Sequence, residues 1–119
     1  MGFTNITVTG TLKDANLAPV SSAWLTFTIT GPLRSSDGTI VACTPVQTAT
    51  DLGGNFSVAL VATNDTGTVP QGQVYRLEIE APSLISNNIA DVGTYFPVYF
   101  FPLPASYAPT VTLNTLLAQ

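Results

Sequence analysis

The chain has no histidine, three basic residues and one cysteine among its 119 residues. Without histidine, serine or cysteine hydrolysis by a His-assisted triad is excluded, as are zinc sites built on imidazole. Lys13, Arg34 and Arg76 are the only cations, and the net charge is −4. Nucleic-acid binding needs a basic stripe to neutralise phosphates, which three scattered cations cannot supply. Cys43 alone cannot form an intrachain disulfide, and no cation beside it would activate the thiol. It reads as a small hydrophobe in or beside a strand, in a protein expected to fold in a reducing cytoplasm. Charged residues make up only 8% of the chain, against roughly 25% in ordinary soluble domains. So little charge favours a subunit packed into a larger assembly over a free monomer. The longest apolar run, Tyr95–Leu103, is too short and too proline-rich to cross a bilayer. Met1–Thr4 has no basic n-region, so no secretory signal and no membrane partner is expected.

What the chain does have is alternation. Ile6-Thr7-Val8-Thr9, Leu25-Thr26-Phe27-Thr28-Ile29-Thr30, Phe56-Ser57-Val58-Ala59-Leu60 and Tyr75-Arg76-Leu77-Glu78-Ile79-Glu80 each switch between a large apolar residue and a small or polar one. A period of two places the apolar set on one face of a strand, so each stretch predicts a half-buried antiparallel strand. With 45% apolar residues the chain can bury a core, and its length suits a single domain.

Turn residues punctuate the pattern. Strands are predicted over 4–12, 23–30, 39–50, 55–62, 73–81, 94–101 and 109–113, with no helix. Pro45 interrupts the third, which points to a sheet edge or a bulge there. Residues 83–91 are ambiguous between a turn of helix and a short strand at Leu84-Ile85. About seven short strands predict an all-β, antiparallel two-sheet β-sandwich, immunoglobulin-like or prealbumin-like, over residues 1–104. Residues 105–119 would be a last strand completing it, or an arm docking on a neighbour. The antibody-type Cys…Trp…Cys pattern is absent.

Chemistry-bearing residues are few. Glu78 and Glu80 share a strand face and could in principle form a carboxylate pair. An outward polar face produces the same pattern and is the preferred explanation. Asp14, Asp37, Asp51 and Asp65 fall in predicted turns with no calcium-loop spacing, so they read as turn caps. Three glycosylation triplets start at Asn5, Asn55 and Asn64, and 18 threonines make such triplets common by chance. No catalytic residue, cofactor or metal is expected.

One segment breaks the alternation. Tyr95-Phe96-Pro97-Val98-Tyr99-Phe100-Phe101 is apolar on both faces, and its prolines disfavour a central strand. An aromatic outer face would be an exposed patch of the kind that marks a protein interface. The expected contact residues are Tyr95, Phe96, Val98, Tyr99, Phe100 and Phe101, joined by Leu113, Leu116 and Leu117 of the tail.

The ordered set Gly10-Thr11-Leu12, Pro19-Val20, Leu25-Thr26-Phe27-Thr28 and Thr50-Asp51-Leu52-Gly53-Gly54-Asn55-Phe56-Ser57-Val58 resembles bacterial and phage sandwich modules. Leu60-Val61-Ala62-Thr63-Asn64-Asp65, Tyr75-Arg76-Leu77-Glu78-Ile79, Leu103-Pro104-Ala105 and Val111-Thr112-Leu113 continue the likeness. In that order the motifs resemble a small domain of tailed-bacteriophage virion proteins, found especially at the start of minor tail or tail-fibre proteins. The resemblance implies a non-enzymatic virion protein that packs against copies of itself and other virion proteins. With no fibre repeat or receptor-binding domain after residue 119, a small structural or capsid-decorating subunit is expected. The alternative is a carbohydrate- or receptor-binding module using Trp24, Tyr75, Tyr95 and Tyr99 as stacking platforms.

Overall fold

The four alternating stretches all become strands with their apolar residues turned inward in the computed structural model, which describes residues 3–13, 16–35, 38–65, 67–82, 92–93 and 97–118. They are β1 (Asn5–Thr11), β2 (Trp24–Ile29), β6 (Asn55–Val61) and β7 (Tyr75–Pro82). Between β2 and β6 run three shorter pieces, β3 (Leu33–Arg34), β4 (Ile40–Val41) and β5 (Val46–Ala49). After β7 come β8 (Val92–Gly93), β9 (Tyr99–Phe101) and β10 (Thr110–Thr112), then a helix α1 (Leu113–Leu117).

Two sheets face each other. One has the order β10-β1-β6, and the other has β5-β2-β7 with β8 and β9 both pairing to the far side of β7. β3 and β4 form a separate hairpin. Among the described residues all strand pairings are antiparallel except β1 with β10, which run parallel. Ile6, Val8, Phe56, Val58 and Leu60 from the first sheet join Leu25, Phe27, Tyr75, Leu77 and Ile79 from the second in one buried cluster. The chain is therefore all-β in its main elements, with two sheets sharing a single core.

Local chemistry explains the turns that hold this register. Asp51 accepts from the Gly53 and Asn55 N–H groups, both at 2.9 Å, and so builds the turn into β6. Gly54 follows at φ +77, where a Cβ would lie 2.4 Å from the Leu12 carbonyl oxygen. Only glycine fits that approach. Gly10 serves packing instead: it faces the core opposite Phe56, whose ring occupies the space a Cβ would need, at 2.6 Å. Thr50 is buried and ties two loops together, donating to the Val20 carbonyl (2.7 Å) and accepting from the Ala23 N–H (2.9 Å).

The structure adds detail to three of these expectations. The predicted third strand is two pieces, β4 and β5, separated at Pro45, and β5 lies at a sheet edge. A helix exists where none was expected: the Thr112 hydroxyl caps it by accepting from the Thr115 N–H at 3.3 Å, and Leu113 and Leu116 bury one side of it. The tail from residue 105 is held by its own chain, through β10 beside β1 and through α1 against the core. The ambiguous stretch 83–91 lies outside the described residues.

Candidate interaction surface

Register fixes which side chains β9 presents. Phe101 pairs with Tyr75, Phe100 with Arg76 and Tyr99 with Leu77. Tyr75 and Leu77 point into the core, so Phe101 points inward with them and Phe100 points out. Phe101 is 1% exposed, with its ring edge-on to Phe27 at 6.2 Å and stacked on Tyr75 at 5.9 Å. Phe100 is 59% exposed.

This divides the expected contact set. Phe100 and Val98 stay exposed, and Tyr99 and Leu117 are half-buried against the core. Phe101, Leu113 and Leu116 are buried within this chain and are corrected to core residues. Strand alternation turns Phe101 inward, and Leu113 and Leu116, three apart, share the inner side of α1. Tyr95 and Phe96 lie outside the described residues.

The outer face of the second sheet carries Trp24, Thr26 and Thr28 on β2, with Arg76, Glu78 and Glu80 beside them on β7. Trp24 is about half exposed and lies opposite Glu80. Phe100 sits four residues and two strands away, about 16 Å by strand geometry. The two rings bracket a polar strip rather than forming one cluster. Within that strip Arg76 donates to Glu78 at 2.7 Å, and both side chains are well exposed. Glu80 shares the face about 7 Å along the strand from Glu78. Glu78 is engaged by a cation on an open surface, an arrangement that fits a solvated sheet face better than a catalytic carboxylate pair.

Of the aromatic platforms considered for sugar stacking, Tyr75 is removed: it is 2% exposed and its hydroxyl donates to the Val61 carbonyl at 2.8 Å. Burial pushes its phenol well above the ordinary tyrosine range. Of the turn aspartates, Asp51 caps its own turn. Asp65 does something the sequence did not suggest: it is buried and accepts from the Thr4 N–H (2.6 Å) and hydroxyl (2.7 Å), fastening the segment before β1. Asp14 and Asp37 lie outside the described residues. Cys43 lies beside a strand, between β4 and β5, and is exposed.

Beside α1 the two sheets leave a groove of about 470 Å³ walled by Leu12, Phe56, Ile79, Tyr99, Leu113 and Leu117. Its volume suits a small ligand. Its described lining is apolar apart from backbone, Thr11, Thr112, Asn114 and the Tyr99 phenol, so it offers space without a charged group to orient one. Among the described residues no group of three or more Cys, Asp or Glu converges as a metal site would require.

Sequence reasoning missed three exposed apolar residues, Leu17 and Leu52 in turns and Ile40 on β4. Leu52 had a legible signal: it occupies the tip of Asp51-Leu52-Gly53-Gly54, where the turn itself points the side chain at solvent. No family model and no curated protein matches the chain.

Proposed function

We propose that this chain is a non-enzymatic structural subunit of a tailed-phage virion, associated with a tail or fibre or decorating a capsid. It works by packing its sandwich against copies of itself and against neighbouring virion proteins. The observation that carries the reading is Phe100, a large aromatic side chain held outward on a short edge strand with exposed Val98 beside it. Aromatic residues presented this way are the usual anchors of protein interfaces. The ordered motif resemblance supplies the virion context, and the scarcity of ionisable groups argues against chemistry.

Strand order supports the prealbumin-like subtype of sandwich. Setting aside the two-residue segments β3, β4 and β8, seven strands remain among the described residues. Numbered along the chain, they are ordered 7-1-4 in one sheet and 3-2-5-6 in the other. An immunoglobulin constant-type fold keeps strands 1, 2, 5 and 4 together in one sheet. Here strands 1 and 2 belong to different sheets.

A second reading, a carbohydrate-binding module, keeps one supporting observation: Trp24 stands half exposed on the outer face among Thr26, Glu78 and Glu80. Light scattering on wild type and Phe100→Ser, with glycan binding measured in parallel, separates the two. Self-association that weakens in Phe100→Ser supports the packing reading. A monomer that binds glycan and loses binding in Trp24→Ala refutes it.

A further inference from the structure

A sandwich has sheet edges, and each edge strand exposes backbone groups that another strand could pair with. Among the described residues, three of the four edges of the two sheets are formed by short strands, and all of these but the two-residue β8 lie next to proline. β10 has three residues and follows Pro109, β9 has three between Pro97 and Pro102, and β5 has four after Pro45. The fourth edge, β6, is different. It runs for seven residues, contains no charge and no proline, and pairs with β1 without a skipped residue from Asn55↔Thr11 to Val61↔Asn5. It carries no charge, proline or bulge to block edge pairing, and β5 with the 42–46 segment runs alongside it, reaching it through Thr48.

Its backbone is open in a regular pattern. The Ala62 N–H donates to the Thr4 carbonyl (2.9 Å) and the Leu12 N–H donates to the Gly54 carbonyl (2.8 Å). Even-numbered residues of this stretch therefore turn towards β1, and Asn55, Ser57, Ala59 and Val61 turn their N–H and C=O groups away from it. Asn55 is satisfied on both groups by Asp51. The Ser57 carbonyl accepts from the Thr48 hydroxyl at 3.2 Å and the Val61 carbonyl from the Tyr75 hydroxyl at 2.8 Å. Among the described residues the N–H groups of Ser57, Ala59 and Val61 and the carbonyl of Ala59 have no partner.

We propose that two copies of this chain associate through β6, edge to edge and antiparallel, about a two-fold axis at Ala59. The unpaired groups are symmetric about that residue, as an isologous contact requires. Ala59 would exchange two hydrogen bonds with its counterpart. Ser57 would pair with Val61 of the second copy, and Val61 with Ser57, each carbonyl using its free lone pair. The result is a continuous sheet of order β10-β1-β6-β6-β1-β10. Each copy carries a net charge of −4, yet no charge lies on β6 or on β1 behind it, and Asp51 stands beside Asn55 at the end of the strand rather than at the axis. Beside the edge, exposed Ala42 and Val46 share a small cavity of about 140 Å³ with Ala59 and Val61, and this adds apolar surface to cover.

This inference rests on the reading of the chain as a packing subunit, and it names the partner. Sedimentation of wild type should give a species of twice the 12.4 kDa of one chain, with the Ser57, Ala59 and Val61 amides protected from hydrogen exchange. Ala59→Pro removes the outward N–H without touching the bonds to β1, and Ala59→Lys places two cations opposite each other at the axis. Both should fold, by circular dichroism and melting, and sediment as monomers. If Ala59→Pro fails to fold, Ala59→Lys decides alone. A dimer that survives in a folded variant overturns the β6 contact. If that dimer is lost in Phe100→Ser, the packing reading stands without β6. A wild-type monomer with a freely exchanging Ala59 amide overturns both.

Discussion

Phe100 and Phe101 are adjacent and chemically identical, yet register assigns them opposite roles, and their truncation should separate cleanly. Phe101 is 1% exposed and touches two rings, Phe27 at 6.2 Å and Tyr75 at 5.9 Å. A buried Phe→Ala change costs about 3–5 kcal/mol, and aromatic pairs of this geometry add to burial alone, so the upper half of that range is expected. A domain of this size has roughly 5–15 kcal/mol of total stability, so Phe101→Ala should remove a large fraction of it. Phe100, 59% exposed, should change stability by no more than about 0.5 kcal/mol when truncated, while weakening self-association. Urea denaturation followed by the fluorescence of Trp24, the sole tryptophan, measures both at constant m-value. Equal losses for the two variants, or a loss below about 1 kcal/mol for Phe101→Ala, would refute the assignment of inner and outer faces.

Leu116→Ala should cost about 2–5 kcal/mol in the same assay, because the residue is 1% exposed beneath α1; a neutral result would mean that the tail does not pack on its own chain. Asp65→Ala removes the acceptor for both Thr4 bonds and should cost about 2–4 kcal/mol, with faster hydrogen exchange at the Thr4 amide as the local signature. Tyr75 supplies a pH prediction. Its phenol titrates near 10 when unfolded and higher when folded, so the unfolded chain loses the proton first. Stability should be complete below pH about 10 and fall as pH rises above it, and Tyr75→Phe should flatten that fall in melting curves taken across the alkaline range.

Sequence periodicity by itself determined the four principal strands and their inner faces. Every apolar residue of the alternating sets in β1, β2, β6 and β7 is buried, because side chains on a strand point to opposite faces in turn whatever the partner. Proline and glycine likewise marked the ends of strands, since their backbone limits are local. The absence of histidine, and of any triad built on it, was also legible from composition alone. Where alternation failed, local reasoning failed with it. Tyr99-Phe100-Phe101 offers two equivalent faces, and only pairing with β7, more than twenty residues earlier, turns Phe101 in and Phe100 out. The tail's leucines could have served a neighbour equally well; parallel pairing of β10 with β1, about a hundred residues away, turned them into core. The open edge of β6 belongs to the same class, because an unpaired strand is a property of what lies beside it. Periodicity is written in neighbouring residues, whereas register and edges depend on contacts between distant ones, and those only the tertiary structure decided.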